Sequence, residues 1–238
     1  MKFRMLLFVI LFSIVNVAAG QLNPVILIHG YNKSQADMVF LKKNLKKYGY
    51  RVHLVDLPLT HKSLAEAYVE FKKQLKSIAA NYPSNTVYHF VGHSTGGLMI
   101  RKYFHNPLDN VRVGRCVQIA TPNKGSQLAE ISFDYFKFLF SDYRTLKSLK
   151  KNNLKNLNSI KSLPPEVAAV AGNESKSLYS IIIEGDDDGR VAVKSVKMKG
   201  LSDFIILPYG HKKIHHKEKT AKYIDNFLKS GRFSFDVR

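Results

Sequence analysis

Short apolar runs alternate along most of the chain with segments whose apolar positions recur at helical spacing. Between residues 64 and 81, for example, apolar side chains recur every three or four positions, which predicts a helix with one buried face. The apolar runs predict six strands, at residues 24–29, 51–57, 87–91, 113–119, 178–184 and 203–208. This alternation predicts an α/β fold of about six mostly parallel strands with helices on both faces of the sheet.

Two further helices frame the predicted sheet. Ser34 is followed three residues later by Asp37, a pattern that predicts a capped helix after the first strand. Residues 214–228 predict the last helix.

The third predicted strand runs directly into the sequence GHSTG, in which Ser94 is the central residue. A helix-compatible segment follows, so the order is strand, sharp turn with a serine at its tip, then helix. That context is typical of a nucleophile elbow, and glycines two residues before and after the serine avoid clashes with the neighbouring strand and helix. The helix would also point its N-terminal amides toward an oxyanion formed at Ser94.

An acid and a histidine follow Ser94 in the order that a catalytic triad on this kind of sheet requires. The predicted strand 178–184 leads to Asp186, Asp187 and Asp188, and the strand 203–208 leads to His211. Because the carboxyl ends of parallel strands meet at one edge of a sheet, these side chains should converge there. The acid would fix the tautomer of the imidazole, and the imidazole would take the proton from the serine.

Five segments together resemble a known superfamily: residues 25–31, 91–97, 120–126, 188–191 and 210–211. The chain resembles the α/β-hydrolase superfamily, and within it the small bacterial lipase- and esterase-like proteins whose elbow is similar to that of the GPI inositol-deacylases. The resemblance covers residues 24 to about 230. It implies a minimal form of the fold that lacks two N-terminal strands of the full sheet.

Residue by residue, the resemblance implies Ser94 as nucleophile, Asp188 as triad acid and His211 as base. Asp188 is preferred because it matches the family spacing between a preceding glycine and a following valine, and Asp186 and Asp187 are expected to be solvated loop carboxylates. The resemblance also implies an oxyanion hole from the backbone amides of Tyr31 and Thr95.

Other polar residues near these motifs have predicted roles too. His29 and Gly30, in the oxyanion loop, and His93, beside the serine, are assigned to the substrate-binding surface, with His29 also expected to be structural. His215 and His216 compete with His211 for the role of base, but they are expected on the surface or as neighbours of the site at the start of the last helix. The spacing of the histidines and aspartates matches no standard zinc or EF-hand pattern, so no metal site is expected.

The N-terminus has the features of a secretory signal. Residues 1–19 combine two basic residues, an apolar stretch and small residues before a predicted cut after Ala19. We therefore expect residues 20–238 to form one exported hydrolase domain, periplasmic or secreted. The alternative is an uncleaved N-terminal segment that anchors the protein.

The net charge of +19 indicates which binding partners the protein would attract. Such an excess of basic residues would attract an anionic membrane surface, although a solvated lysine-rich surface explains it as well. No nucleic-acid-binding motif accompanies the charge, so no nucleic acid partner is expected. The single cysteine, Cys116, is expected to fill space in the core.

Residues 127–165, after the fourth predicted strand, form the least regular segment and are rich in aromatic residues and lysines. One interpretation is a small helical lid whose aromatic residues contact an acyl chain and whose lysines face a membrane. The other is a crossover helix that packs on the sheet, followed by a solvated basic loop. The pattern leaves both open.

Together these features predict a serine hydrolase that cleaves a carboxylic ester, with an acyl ester or lipid as substrate, and that needs no cofactor. A thioesterase or acyltransferase would use the same triad. A non-catalytic envelope- or membrane-binding protein on a hydrolase scaffold is the alternative from another class. The fold by itself hosts many chemistries, and the sequence leaves the oligomeric state open.

Overall fold

A computed structural model describes four stretches of the chain: residues 22–127, 144–154, 166–175 and 178–234. Within them, six strands form one sheet in which every neighbouring pair is parallel. The strands are β1 (Leu22–Ile28), β2 (Tyr50–Val55), β3 (Val87–His93), β4 (Arg112–Ile119), β5 (Val167–Gly172) and β6 (Asp203–Leu207). Their order across the sheet is β2-β1-β3-β4-β5-β6, which confirms the predicted minimal α/β-hydrolase fold.

Five of the six strands lie where the sequence predicts them, within about two residues at each end. The prediction of the fifth strand at residues 178–184 is wrong. That segment begins with a 3-10 turn, Leu178–Ile181, and the side chains of Ile181 and Ile182 are exposed. The fifth strand is β5, which is buried along its whole length but is built from valine, alanine and glycine. Its small side chains carry a weaker apolar signal than the isoleucines that follow it.

The helices occupy both faces of the sheet. They are α1 (Val39–Lys47), α2 (Leu64–Ala79), α3 (Thr95–His105), α4 (Arg144–Ser148), α5 (Lys151–Leu154), α6 (Val193–Val196) and α7 (Glu218–Ser230). In one core cluster, α2 and α3 pack on the sheet through residues such as Phe71 and Met99. In the other, α1 and α7 cover the opposite face through residues such as Leu41 and Phe227. Cys116 is free, buried and part of the first cluster, as expected.

Both predicted helices, α1 and α2, are present, but the cap predicted at Ser34 is wrong. Ser63 accepts a hydrogen bond from the Glu66 N–H and forms a full capping box at the start of α2. Ser34, in contrast, precedes a 3-10 turn, Gln35–Met38, and its side chain makes no capping hydrogen bond. Asp37, which would complete that box, directs its carboxylate toward His215 instead.

The last predicted helix begins later than expected. Residues 214–216 form a separate 3-10 turn, and α7 starts at Glu218. The segment before α7 therefore belongs to the end of the sheet at which β6 terminates.

Most of the segment proposed as a lid, including its aromatic cluster, lies outside the described residues. Its described part, α4 and α5, packs against the start of α2. Leu149 and Leu154 are buried in the same core cluster as α2, and Arg144 forms an ion pair with Glu66. In that part the segment behaves as a packed crossover. Within the described stretches of the chain, no helix is both long and apolar enough to cross a membrane.

Candidate active site

Ser94 lies at the turn between β3 and α3, at the carboxyl edge of the sheet. Its backbone has φ 53° and ψ −121°, a left-handed conformation that is unusual for a residue other than glycine. The Ser94 N–H donates to the carbonyl of Ile119 in β4 at 2.7 Å, which holds the strained turn against the sheet. This is the geometry of the predicted elbow.

The two motif glycines are required by close packing of backbones. A Cβ on Gly92 would lie 2.5 Å from the backbone of Gly96. A Cβ on Gly96 would lie 2.6 Å from the carbonyl oxygen of His29 and closer still to that of Ile28. Real Cβ atoms do not approach backbone this closely, so α3 contacts the end of β1 only because both positions are glycine.

Ser94, His211 and Asp188 form a continuous hydrogen-bonded line. His211 Nε2 lies 3.1 Å from Ser94 Oγ, and His211 Nδ1 lies 2.7 Å from Asp188 Oδ2. All three residues are buried, and the Asp188 carboxylate is fully enclosed. The carboxylate can only accept, so the Nδ1 proton of His211 points at Asp188 and the Nε2 lone pair faces the serine hydroxyl.

The loops that carry the acid and the base hold each other. Asp188 Oδ1 accepts from the N–H groups of Arg190 and Val191, and the His211 N–H donates to the Asp188 carbonyl at 2.8 Å. Gly172, the last residue of β5, makes this approach possible, because a Cβ there would lie 2.9 Å from Asp188 Cβ.

The other two aspartates of the loop are placed differently from Asp188. Asp186 is exposed, as expected for a solvated carboxylate. Asp187 was expected in the same role, but it is buried. Its Oδ1 accepts from the Gly189 N–H at 2.6 Å and from the Ser180 hydroxyl at 2.7 Å. Asp187 therefore shapes the loop that carries Asp188.

The predicted oxyanion-hole residues lie on either side of the elbow. Thr95 is the first residue of α3, where backbone N–H groups lack intrahelical partners and the helix dipole is positive. Gly30, next to Tyr31, approaches the elbow closely, because a Cβ on Gly30 would lie 3.1 Å from Ser94 Cβ. The loop that contains Tyr31 thus runs against the nucleophile.

His29 lies beneath that loop and is fully buried. Its Nε2 accepts from the Leu57 N–H at 2.9 Å, so its Nδ1 donates to the Gly30 carbonyl at 2.9 Å. Both ring nitrogens of His29 therefore hold the loop in place, as expected for a structural residue. Burial lowers the pKa of His29, opposed by the Gly30 hydrogen bond and by Asp56.

The residue before the nucleophile, His93, belongs to a buried cluster behind the triad. Its Nε2 lies 3.0 Å from the carbonyl oxygen of His211, and its ring stacks on that of His215 with centroids 3.8 Å apart. His215 Nε2 lies 3.0 Å from Asp37 Oδ2. His215 is only 1% exposed, so its expected place on the surface is wrong, whereas its expected place beside the site holds.

Burial dominates the ionisation of this cluster. Burial, together with repulsion from His215 and His211, holds the pKa of His93 well below its ordinary value. Burial also lowers the pKa of His215, opposed by its hydrogen bond to Asp37. Burial raises the pKa of Asp37, but the hydrogen bond and charge of His215, with Lys33 and His216, outweigh it and place that pKa below the usual range.

The segment 120–126, which carried part of the resemblance, supports the elbow from behind. The Asn123 amide donates to Gln118 Oε1 and to the Val196 carbonyl, and Gln118 donates to the Gly97 carbonyl. The buried Arg101 of α3 donates to the Asn123 carbonyl at 2.7 Å. Burial lowers the pKa of Arg101 to about 10. These side chains join α3, β4 and α6, and sequence reasoning did not identify Arg101, Asn123 or Gln118 individually.

A family model described as palmitoyl protein thioesterase matches residues 24–161, which is more than half of the chain and includes the elbow. The chain belongs to the palmitoyl protein thioesterase family. The matched segment ends before Asp188 and His211, so these two residues rest on the geometry of the site. No curated protein sequence matches the chain significantly.

Solved structures of bacterial hydrolases share the fold. The mature form of a Bacillus licheniformis lipase, BlEst2, superposes with a TM-score of 0.73 at 18% identity, over 88% of this chain and 92% of that one. The chain spans about half of the propeptide form of the same lipase: 51% of that chain and 91% of this one, at 18% identity and a TM-score of 0.75. An extracellular α/β-hydrolase from a Paenibacillus species gives 0.60 at 14% identity, over 88% of this chain and 99% of that one. At these identities the likeness establishes the fold.

Proposed function

We propose that this protein is a serine hydrolase that cleaves acyl esters, with lipid esters among them, through an acyl-enzyme on Ser94. The observation that carries the proposal is the line from Ser94 Oγ through His211 to the buried Asp188. A strained, glycine-flanked serine within hydrogen-bonding distance of an oriented imidazole is the arrangement that activates a hydroxyl as a nucleophile.

The proposed reaction has two half-reactions. His211 Nε2 takes the hydroxyl proton as Ser94 Oγ attacks the acyl carbonyl, and the N–H groups of Tyr31 and Thr95 stabilise the oxyanion. His211 then gives that proton to the departing alkoxide or thiolate, which leaves Ser94 acylated. A water molecule gives a proton to His211 as its oxygen attacks the acyl carbon. The bond from that carbon to Ser94 Oγ then breaks, the carboxylic acid leaves, and His211 returns the proton to Ser94 Oγ. Asp188 keeps the imidazole oriented and stabilises its charged form.

A thioester is the second candidate substrate class, and the family match favours it. Oxygen and sulfur esters share the same acyl-enzyme, so the triad does not discriminate between them. The two substrate classes differ in their leaving groups, because a thiolate needs less help from His211 as general acid than an alkoxide does.

The test compares purified wild-type protein with Ser94→Ala on acetyl, octanoyl and palmitoyl oxygen esters and on the matching thioesters. We expect Ser94→Ala to lower turnover by at least about 10³-fold on every substrate that the wild-type protein cleaves. Ser202→Ala is the matched control, since Ser202 is exposed and precedes β6 at the opposite edge of the sheet. Preference for oxygen esters supports the first proposal, and preference for thioesters the second. A folded wild-type protein that is inactive on all six substrates contradicts both and favours the binding-scaffold alternative.

We also propose that the protein is exported, periplasmic or secreted, and that its basic surface faces an anionic membrane. The proposal is supported by the basic, then apolar, then small-residue order of residues 1–19 and by the net charge of +19. Fractionation of cells that express the full chain tests it. A full-length cytoplasmic product contradicts export, and a full-length membrane-bound product indicates the anchored alternative.

A further inference from the structure

Two buried histidines and a partly buried aspartate from distant parts of the chain meet behind the candidate triad. Asp37 comes from the 3-10 turn after β1, His93 from the end of β3, and His215 from the 3-10 turn before α7. One carboxylate oxygen and one nitrogen from each ring all lie within 4.8 Å of one another. This Asp37–His93–His215 cluster takes no part in the chemistry assigned to Ser94.

The hydrogen bond of His93 to His211 fixes which nitrogen of His93 carries its proton. His93 Nε2 faces the carbonyl oxygen of His211 at 3.0 Å, and a carbonyl can only accept, so Nε2 carries the hydrogen. In the neutral ring the lone pair is then on Nδ1. That atom is buried and has no hydrogen-bond partner among the residues that the structure describes. Asp37 Oδ2 lies 3.9 Å from it.

A lone pair and a carboxylate oxygen thus face each other in a buried site. His93 Nδ1 is an acceptor without a donor, which costs free energy in a buried site, whereas Asp37 Oδ2 already accepts from His215 Nε2. A bound cation satisfies both at once. His215 Nε2 borders the same space, 3.0 Å from Asp37 Oδ2.

We propose that Asp37 Oδ2, His93 Nδ1 and His215 Nε2 bind a divalent transition-metal ion of the zinc type. Imidazole nitrogens and a carboxylate oxygen are ordinary zinc ligands at about 2.0–2.2 Å, and tetrahedral geometry then separates the ligand atoms by about 3.3 Å. The separations of Asp37 Oδ2 from His215 Nε2 and from His93 Nδ1, 3.0 and 3.9 Å, lie on either side of that value. Because the rings of His93 and His215 are stacked with an interplanar angle of 26°, they must rotate before both lone pairs point at one ion.

The surroundings of His93 are those of a metal ligand. A histidine that binds a metal through one nitrogen usually donates its other N–H to a carboxylate or a backbone carbonyl, as His93 does to His211. For His215 the ring proton shifts from Nε2, where it faces Asp37, to Nδ1 when Nε2 binds the ion.

His216 lies on the solvent side of the cluster. Its Nε2 is 3.6 Å from Asp37 Oδ1, and its side chain is 37% exposed. Lys33 also approaches Asp37 Oδ1, at 3.5 Å, on the outer side of the carboxylate. The two buried histidines share the inner oxygen, Oδ2, away from that lysine.

The ion would have a structural and positioning role. It would join the segment after β1, the elbow strand and the loop that carries the base, and through His93 it would fix the backbone of His211. The short-range sequence spacing that argued against a metal site does not detect this cluster, because the three ligands are far apart in the sequence.

The test uses full-chain protein without an affinity tag, stripped with a chelator and titrated with Co²⁺ and Zn²⁺. We expect one ion per chain, the visible absorption bands of tetrahedral Co²⁺, and a higher unfolding temperature with Zn²⁺ than with Mg²⁺. Asp37→Asn and His215→Gln should each weaken binding by at least about 100-fold. His53→Gln is the matched control, because His53 hydrogen-bonds Tyr82 on another part of the fold and should leave binding unchanged.

The proposal is overturned if wild-type protein binds neither ion, or if Asp37→Asn and His215→Gln both bind the ion as tightly as wild type does. The cluster is then a hydrogen-bonded network without a metal. If a variant does not fold, the X-ray absorption spectrum of zinc-loaded wild-type protein decides. The proposal requires at least two imidazole ligands, and a spectrum with fewer contradicts it. None of these measurements depends on the enzymatic activity proposed above.

Discussion

The Nδ1 of His211 lies 2.7 Å from Oδ2 of Asp188, and the carboxylate is fully enclosed by protein. The same carboxylate accepts two backbone N–H groups through its other oxygen. Asp188 is thus held by its own loop independently of the histidine. The hydrogen bond between Asp188 and His211 then sets the direction in which His211 faces Ser94.

Asp188→Asn should remove activity with little effect on stability. An asparagine keeps an oxygen for the two backbone N–H groups, but its amide would donate to His211 Nδ1 and place the ring proton on Nε2, facing the serine. We expect kcat to fall by about 10³- to 10⁴-fold with a nearly unchanged unfolding temperature. Asp186→Asn, at an exposed neighbouring position, should keep full activity. Equal effects of the two substitutions would show that Asp188 is not the triad acid.

Gly96→Ala should destabilise the elbow. Its Cβ would meet the carbonyl oxygens of Ile28 and His29, so α3 must move away from β1. We expect a loss of about 1–3 kcal/mol in the free energy of unfolding, measured by chemical denaturation, and a drop in activity because Ser94 moves with the helix. Gly185→Ala, where a Cβ meets no atom within 4 Å but φ is +83°, should cost only about 1–2 kcal/mol and spare activity. An active Gly96→Ala protein would contradict this packing.

Acid should destabilise the fold partly through His89. Burial lowers the pKa of His89 from 6.5 to about 4, and its ring nitrogen Nδ1 accepts from the Arg115 N–H at 2.8 Å. Below pH 6.5 His89 binds a proton in the unfolded chain, whereas in the folded protein it binds one only near pH 4. The free energy of unfolding therefore falls as the pH is lowered through this interval.

From pH 7.5 to pH 5 this contribution amounts to about 2 kcal/mol. In His89→Asn the loss of unfolding free energy over that interval should be smaller by this amount. The exposed His105→Asn should retain the wild-type dependence. Denaturant titrations of the three proteins at the two pH values measure it, and parallel pH dependences for His89→Asn and wild type would contradict the assignment.

Local patterns were sufficient for the elbow and for five strands. Ser94 could be located because the strand, the glycines and the helix around it are adjacent in sequence and each has its own signal. The order acid-then-histidine pointed to the three aspartates at 186–188 and to His211, and the family spacing selected Asp188 among them, even though the predicted strand before the acid was wrong. What positions Asp188 is the approach of its loop to Gly172, the last residue of β5, which no local pattern encodes.

Long-range pairing explains what the sequence did not reveal. Asp37 was assigned to a helix cap because it follows Ser34 by three residues, yet it hydrogen-bonds His215 across the fold. Nothing in the sequence predicted the burial of Arg101, which is 1% exposed and donates hydrogen bonds to Asn123. Both contacts join residues that only the tertiary structure brings together.

The most direct test of the central claim is labelling of Ser94 by a fluorophosphonate probe, read by intact mass on wild-type, Ser94→Ala and Ser202→Ala protein. Ser94 Oγ lies 3.1 Å from His211 Nε2, so it should react, whereas an unactivated serine should not. We predict a single adduct on wild-type and Ser202→Ala protein and none on Ser94→Ala. An unlabelled, folded wild-type protein, or an adduct that persists in Ser94→Ala, would contradict the assignment of Ser94 as the nucleophile.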